Sequence, residues 1–124
     1  MYMIRISPNN DVYVPCKVKL FSGIKTVIYP TIFKGVAIVG YPDLSNGSFP
    51  NVVADQLIHK SISSRLFGNA YLMKSSTTIN DLQPFTEEEA QAVIKACVAN
   101  VSEPLAYTPD EKRELIHSLE GALR

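Results

Sequence analysis

The sequence has no tryptophan, only two cysteines and no excess of either charge, because twelve basic side chains balance twelve acidic ones among 124 residues. Two cysteines are too few for a disulfide scaffold. A chain without a basic excess also lacks the charge by which duplex-DNA binders neutralise phosphate. Long apolar runs are missing, which argues against a membrane span, and residues 1–7 lack the basic start and apolar core of a secretory signal. We therefore expect a cytoplasmic protein that folds as one domain over residues 1–124.

The two cysteines, Cys16 and Cys97, are expected to be reduced core thiols. A single structural disulfide between them is the alternative. Together with His59 and His117 they show none of the spacings that a zinc site requires. The sequence therefore predicts no metal and no cofactor.

The N-terminal residues are predicted to form strands. A dense turn signal at residues 8–11 separates two strand-like runs, 2–6 and 12–14, and this pattern predicts a hairpin. Pro15 would end that hairpin or lie on a sheet edge, because proline cannot donate a hydrogen bond to a neighbouring strand.

The chain that follows predicts more strands. Polar and apolar residues alternate over 17–21 and, less regularly, over 25–29, which indicates a second hairpin. The nearly continuous apolar run 33–39 is typical of a central strand. Gly35 within it indicates a bulge or a close approach of another backbone segment.

A central helix is predicted to open at Ser48 and Pro50, since a proline in the first helical turn loses no hydrogen bond. Apolar residues recur along it at four-residue spacing: Ala54, Ile58, Ile62 and Leu66. Gly68 indicates its C-terminal end. A short strand is expected over 70–73.

The two C-terminal helices carry the strongest local signals. Thr86 and Glu89 have the spacing of a capping box, and Thr108 and Glu111 repeat it with Pro109 at the first helical position. The expected buried stripes are Ala90, Val93, Ile94, Cys97 and Val101 in one helix and Leu115, Ile116, Leu119, Ala122 and Leu123 in the other. Strands followed by helices indicate an α+β fold: a mainly antiparallel sheet from the N-terminal half, with one central helix and two C-terminal helices packed on it.

Charge is segregated along the chain even though it sums to zero. Residues 1–79 carry a net charge of +5 and residues 80–124 a net charge of −5. Two solvated faces that need no partner explain this pattern most simply. The alternative is a pair of complementary surfaces that steer association with a second copy or with another protein.

Asp55 and His59 are four residues apart on the predicted central helix and would share one face. A carboxylate beside an imidazole is the base-and-orienter half of a catalytic triad. No nucleophile-elbow pattern accompanies them. An ordinary surface pair is therefore the favoured interpretation, and a small hydrolase or transferase is the alternative. His117 is expected to be a surface residue.

Asn46, Gly47 and Ser48 lead into the predicted start of the central helix, where free N–H groups and the helix dipole attract anions. Lys60 and Arg65 lie further along and would add positive charge if another segment or subunit folded over them. No glycine-rich phosphate motif is present. A plain turn and cap is the favoured interpretation, and a site for a small anionic ligand is the alternative.

Aromatic residues accompany the basic strand region: Tyr2, Tyr13, Phe21, Tyr29, Phe33 and Tyr41. Aromatic rings interleaved with lysines on a sheet face are typical of single-stranded nucleic-acid binding. The consensus segments of such modules are missing, and aromatic residues are common in strands for packing reasons alone. Nucleic-acid binding is therefore a second alternative.

Two short segments, 29–33 (Tyr-Pro-Thr-Ile-Phe) and 41–44 (Tyr-Pro-Asp-Leu), resemble the opening of HicB-type antitoxin domains. Those domains begin with a strand near a Tyr-Pro-x-Ile-Phe element and continue to a Phe-Pro-Asp-Leu element. The Gly-Cys and Gly-Asp-Thr segments that follow in the family are missing here, and both C-terminal helices lie outside the resemblance. The resemblance implies an inhibitor or antitoxin.

The apolar stripe of the last helix ends one residue before the terminus, and such a helix frays unless something covers it. A second copy is the simplest cover, which places Leu115, Ile116, Leu119 and Leu123 at a homo-oligomer interface. The sequence as a whole favours a small non-enzymatic binding protein that acts as a homo-oligomer. It would be an inhibitor, an antitoxin-like protein or a ligand-sequestering factor, with a protein or a small anionic molecule as its ligand.

Overall fold

The computed structural model describes residues 1–8, 13–17, 26–43, 49–75 and 82–123. The strands are β1 (Tyr2–Ile6), β2 (Tyr13–Lys17), β3 (Val27–Pro30), β4 (Val36–Tyr41), β5 (Phe67–Ser75) and β6 (Leu82–Gln83). The helices are α1 (Val52–Leu57), α2 (Glu87–Cys97) and α3 (Pro109–Ala122), with a π-helical turn at Val98–Ser102 and a 3-10 turn at Pro104–Ala106. The predicted α+β class, with one central and two C-terminal helices, is confirmed.

The strands form one antiparallel sheet in the order β2-β1-β5-β4-β3, and β6 pairs with the end of β5. The predicted first hairpin is confirmed, with Ile6 opposite Tyr13. Of the predicted second hairpin, residues 18–25 lie outside the described residues, and β3 pairs with β4. β4 lies inside the sheet as expected, and its irregular pairing falls between Val39 and Tyr41 instead of at Gly35.

The two strands at the ends of the strand order, β2 and β3, are the edge strands of the main sheet, and each contains a proline. Pro15 lies in β2 and Pro30 ends β3. Proline has no N–H to offer a further strand and is tolerated at edges for that reason. The Pro30 carbonyl accepts a hydrogen bond of 2.9 Å from the backbone N–H of His59. This edge is thereby joined to the segment that follows α1.

Both faces of the sheet bury apolar side chains. The main core lies between one face and the helices and includes Ile4, Ile6, Ile38 and Leu72 of the sheet with Leu57, Val93, Cys97 and Leu119 of the helices. Successive strand residues point to opposite faces. A smaller cluster accordingly lies on the other face: Met3, Val39, Tyr71 and Met73.

The central helix is much shorter than predicted. α1 ends at Leu57, because Ile58 is extended and pairs with Thr31. The Leu57 carbonyl accepts from the backbone N–H of Ile32 at 3.0 Å, so the chain here joins the edge of the sheet instead of continuing the helix. Gly68, expected as a helix end, lies inside β5 with a φ of 72°.

The N-terminus of α1 is capped by Asn51, and Ser48 lies outside the described residues. The Asn51 side chain is fully buried. Its Oδ1 accepts from the backbone N–H of Ala54 at 3.0 Å. Its Nδ2 donates to the carbonyls of Ile6 at 3.0 Å and of Gly68 at 2.8 Å. One side chain therefore ties the helix to the ends of two strands.

Both predicted capping boxes are present. Thr86 Oγ1 accepts from the Glu89 N–H at 3.2 Å and Glu89 Oε1 accepts from the Thr86 N–H at 2.8 Å. The Thr108–Glu111 pair repeats this arrangement at 3.1 and 2.9 Å. Three residues of the buried stripe predicted for α2 are buried in the structure: Ala90, Val93 and Cys97.

Glu89 carries a second interaction, an ion pair of 2.7 Å between its Oε2 and Nζ of Lys74. Burial by itself raises the pKa of Glu89, but the hydrogen bonds from Lys74 and Thr86 and the charge of Lys74 outweigh it, so the pKa lies below its ordinary value of 4.5. Folding therefore favours the ionised carboxylate. This stabilisation is complete well above pH 4.5 and is lost as the pH falls through the lowered pKa of the folded protein.

We expect Glu89→Gln to lower the free energy of unfolding by about 1–2 kcal/mol at pH 7, because it weakens the capping box and removes the ion pair. The difference from wild type should shrink in acid, where the wild-type carboxylate is protonated as well. Urea denaturation at pH 7 and pH 3 measures both. Glu88→Gln, at an exposed position of the same helical turn, is the control. A difference that stays as large at pH 3 contradicts the assignment.

Gly40 of β4 leaves no room for a side chain. A Cβ atom at this position would lie 3.0 Å from Leu66 Cδ1, closer than carbon atoms pack. We expect Gly40→Ala to lower the free energy of unfolding by about 1–3 kcal/mol. Gly121→Ala in α3, where nothing lies within 4 Å, should raise it by about 0.5–1 kcal/mol. A neutral Gly40→Ala in thermal unfolding would contradict this packing.

Candidate functional site

A cleft of about 640 Å³ opens between the turn after β3, the end of α1, the π-helical turn and α3. Its apolar lining consists of Ile32, Phe33, Val101 and Ile116. Its polar lining consists of Gln56, His59, Lys60 and Asn100. Ligand sites of proteins combine an apolar surface with a few polar groups in this way and have volumes of about 300–1,000 Å³.

The turn between β3 and β4 is held by Thr31, which is buried. Its hydroxyl donates to the Val36 carbonyl at 2.7 Å and accepts from the Phe33 N–H at 3.1 Å. Gly35 supplies the left-handed φ of 85° that closes the turn. Gly35 therefore lies in a turn and not in a bulge inside a strand. The other expectation, a close approach of another backbone segment, agrees with the structure, because the Gly35 carbonyl accepts from the Ser75 N–H at 2.9 Å.

His59 stands where the chain leaves α1, and its imidazole is fixed by its own neighbours. Nδ1 accepts the backbone N–H of Ser61 at 3.1 Å and lies 2.7 Å from the Ser61 hydroxyl. Because a backbone N–H can only donate, the neutral ring carries its proton on Nε2. The free ring nitrogen of His59 is therefore a donor.

The π-helical turn brings Asn100 and Val101 to the cleft. Asn100 Nδ2 donates to the Ala96 carbonyl at 2.9 Å, and Ser102 Oγ lies 2.5 Å from the Tyr13 hydroxyl. π-helical turns are rare and occur often at functional sites. The sequence predicts Val101 in the buried stripe of α2 but gives no indication of Asn100, because no spacing signal marks the wider turn.

A second hollow, of about 410 Å³, adjoins the same turn and shares Ile32, Phe33 and His59 with the cleft. Lys34, at the tip of the turn, lies at its border. The turn is thus flanked by two concave surfaces, and His59 contributes to both. No carboxylate is among the described residues that line either one.

Asp55 and His59 are not joined by any hydrogen bond or ion pair among the described residues. Asp55 Oδ1 accepts the backbone N–H of Leu66 at 2.9 Å instead. Burial raises the pKa of Asp55, against the opposing effects of the Leu66 hydrogen bond and the Arg65 charge. The helical spacing that suggested the pair does not apply, because α1 ends before His59.

Of the five residues of the predicted anion site, the structure describes only Lys60 and Arg65. Asn46, Gly47 and Ser48 lie outside the described residues. Lys60 lines the cleft. Arg65 is exposed on the extended segment before β5 and is not on one helix with Lys60, because α1 ends at Leu57.

Four of the aromatic side chains that suggested nucleic-acid binding, Tyr2, Tyr13, Tyr29 and Phe33, contact other parts of the fold, while Phe21 lies outside the described residues. The hydroxyls of Tyr13 and Tyr29 bond to Ser102 and Ser64, and Phe33 is buried. Tyr2, Tyr13 and Tyr29 pack on the main core, on the sheet face that the helices cover. Packing inside the fold therefore accounts for these rings without a nucleic-acid ligand, and nucleic-acid binding stays an untested alternative.

The apolar stripe of α3 is largely covered within its own chain. Leu119 is 0% exposed, and Ile116 and Leu123 pack against the main core. Leu115 lines a shallow groove between α2 and α3, while Ala122 and His117 are exposed. A second copy is therefore not needed to cover Leu119, and contact between copies through Leu115, Ile116 and Leu123 stays a prediction.

Both cysteines are free; Cys97 is buried and Cys16 partly buried. Burial raises the pKa of the Cys97 thiol, so this group is inert. The described residues contain no group of three or more side chains that could hold a metal ion. None of the helices among the described residues has the length and hydropathy needed to cross a bilayer.

No family model, curated protein or solved structure matches this chain significantly. The resemblance to HicB-type domains therefore rests on the segments 29–33 and 41–44 alone. The function must be inferred from the cleft and its surroundings.

Proposed function

We propose that this protein is a small non-enzymatic binding protein that sequesters a small molecule in the cleft beside His59. The observation that carries the proposal is the composition of the cleft, an apolar floor with a polar rim in a volume suited to a small molecule. The rim groups belong to three separate elements: α1, the segment after it and the π-helical turn. A ligand bound there would therefore contact parts of the chain that are distant in sequence.

The hydrogen bonds around the cleft support binding over catalysis. A nucleophile and its base need a third group that orients the base. Among the described residues, the hydrogen bonds that orient the His59 ring come from Ser61, two residues away in a local turn. Asp55, the acid that the sequence offered, is bonded to Leu66 instead.

We also propose self-association, in the cytoplasm. Leu105 in the 3-10 turn is 100% exposed, and Leu115 on α3 is partly exposed. Solvent-facing leucines of this kind are suited to a contact between copies. The free thiols of Cys16 and Cys97 support a reducing compartment.

The cleft is tested by shortening one of its apolar side chains. We expect Ile116→Ala to weaken the binding of a small apolar probe such as 1-octanol by about fivefold, because it removes buried contact area. Leu115→Ala is the matched control: it lies one position away on the same helix but lines the groove on the other side. Amide shifts in two-dimensional NMR spectra report the binding and its location.

Probe-induced shifts confined to Ile32, His59, Val101 and their neighbours support the proposal. Absence of any shift with octanol and with charged eight-carbon probes contradicts it. Equal weakening by Ile116→Ala and Leu115→Ala would place the probe elsewhere.

A further inference from the structure

The polar side chains at the rim of the cleft offer mainly hydrogen-bond donors. Lys60 can only donate, through three N–H groups. His59 offers Nε2–H, because Nδ1 is engaged with Ser61. Asn100 has one N–H on the Ala96 carbonyl and a second one to spare. Gln56, the remaining polar residue of the lining, and the Asn100 side chain each add one carbonyl oxygen as an acceptor, and Gln56 adds two N–H donors. The rim therefore presents more donors than acceptors to whatever occupies the cleft.

The charges around the cleft also favour a ligand group that accepts hydrogen bonds. Lys60 makes no ion pair among the described residues, in contrast to Lys74, which is neutralised by Glu89, and Arg113, which pairs with Asp110. The described residues that line the cleft include neither Asp nor Glu. An unpaired ammonium group beside spare N–H donors favours an oxygen-rich, negatively charged group.

We infer that the cleft binds an amphipathic carboxylate, with its carboxylate on Lys60 and the donors of His59 and Asn100 and its hydrocarbon part over Ile32, Phe33 and Ile116. This inference rests on the proposed function and names the chemistry of its ligand. Charge and apolar surface occupy the same cleft, so a ligand with only one of the two features would satisfy only half of it.

Three eight-carbon probes that differ in charge separate the possibilities: octanoate, 1-octanol and octyltrimethylammonium. We expect octanoate to bind about tenfold more tightly than octanol, which is the effect of one charge-assisted contact, and the cationic probe to bind most weakly. Titration by two-dimensional NMR or calorimetry measures the three affinities.

Substitutions of Lys60 and Arg65 then show which cation causes the preference for octanoate over octanol. Lys60→Ala should reduce octanoate binding to the level of octanol and leave octanol binding unchanged, and Lys60→Arg should retain most of the preference. Arg65→Ala, which removes an exposed cation outside the cleft lining, should change neither affinity.

Octanol binding as tightly as octanoate, or the cationic probe binding best, overturns the inference and leaves the proposed function standing. A preference for octanoate that survives in Lys60→Ala overturns the placement of the carboxylate on Lys60. No binding of any probe overturns the proposed function and this inference with it.

Discussion

Replacing Asn51 by aspartate is expected to destabilise this protein by about 3–5 kcal/mol. The substitution keeps the shape of the side chain and the oxygen that caps α1. It removes both N–H groups that satisfy the carbonyls of Ile6 and Gly68 and places a carboxylate against them in a fully buried position. Each buried acceptor left unsatisfied costs about 1–3 kcal/mol, and the buried charge adds to that cost.

Asn51→Ala separates the cost of the lost hydrogen bonds from the cost of the buried charge, because it loses the cap and both donors without adding a charge. We expect it to cost somewhat less than Asn51→Asp, although cap removal alone costs about 1 kcal/mol. Lowering the pH should recover part of the loss in Asn51→Asp, as protonation of the new carboxylate removes its charge. Asn69→Asp, the same change at an exposed position of β5, is the matched control. Urea denaturation that shows equal stability for Asn51→Asp and wild type would contradict the role of Asn51.

Leu119→Asp is expected to have an effect at least as large. Leu119 is fully buried against the main core. Loss of a buried leucine side chain alone costs about 2–5 kcal/mol, and a buried carboxylate without a partner adds several more. Because this burial lies within one chain, we expect lower stability with no change in the mass of the folded fraction. Denaturation together with analytical ultracentrifugation measures both quantities.

Leu105→Asp makes the same chemical change at a fully exposed leucine. We expect it to alter the free energy of unfolding by less than about 0.5 kcal/mol. If Leu105 contributes to self-association, this variant and not Leu119→Asp shifts the sedimentation of the folded protein towards the monomer. A wild-type protein that sediments as a monomer at all concentrations contradicts self-association itself.

The parts of the fold that could be predicted from sequence are those held by hydrogen bonds close along the chain. The capping boxes at Thr86 and Thr108 depend on residues three positions apart, so their signals are complete within four residues. The α1 prediction failed because Ile58 pairs with Thr31, 27 positions earlier in the sequence. A local sequence pattern cannot show that residue 58 pairs with the sheet edge instead of continuing the helix.

The residues of the cleft also divide into those that the sequence indicates and those that it does not. Lys60 was singled out for its charge, and it does line a concave site, but from a turn after α1 instead of the helix that the spacing suggested. Asn100 was missed, because it enters the site through one wider helical turn. That turn carries no distinctive composition, since a π-helical turn differs from an α-helix in its hydrogen bonds and not in its residue types.

The prolines of the two edge strands have a consequence for how the protein behaves at high concentration. A molecule with no formal net charge receives little electrostatic protection from aggregation. Open strand edges are templates on which strands of other molecules add, and fibrils grow by this route. Pro15 and Pro30 each remove a donor from those edges, and His59 occupies the Pro30 carbonyl. The backbone at the sheet edges thus provides resistance to ordered aggregation that the surface charge does not.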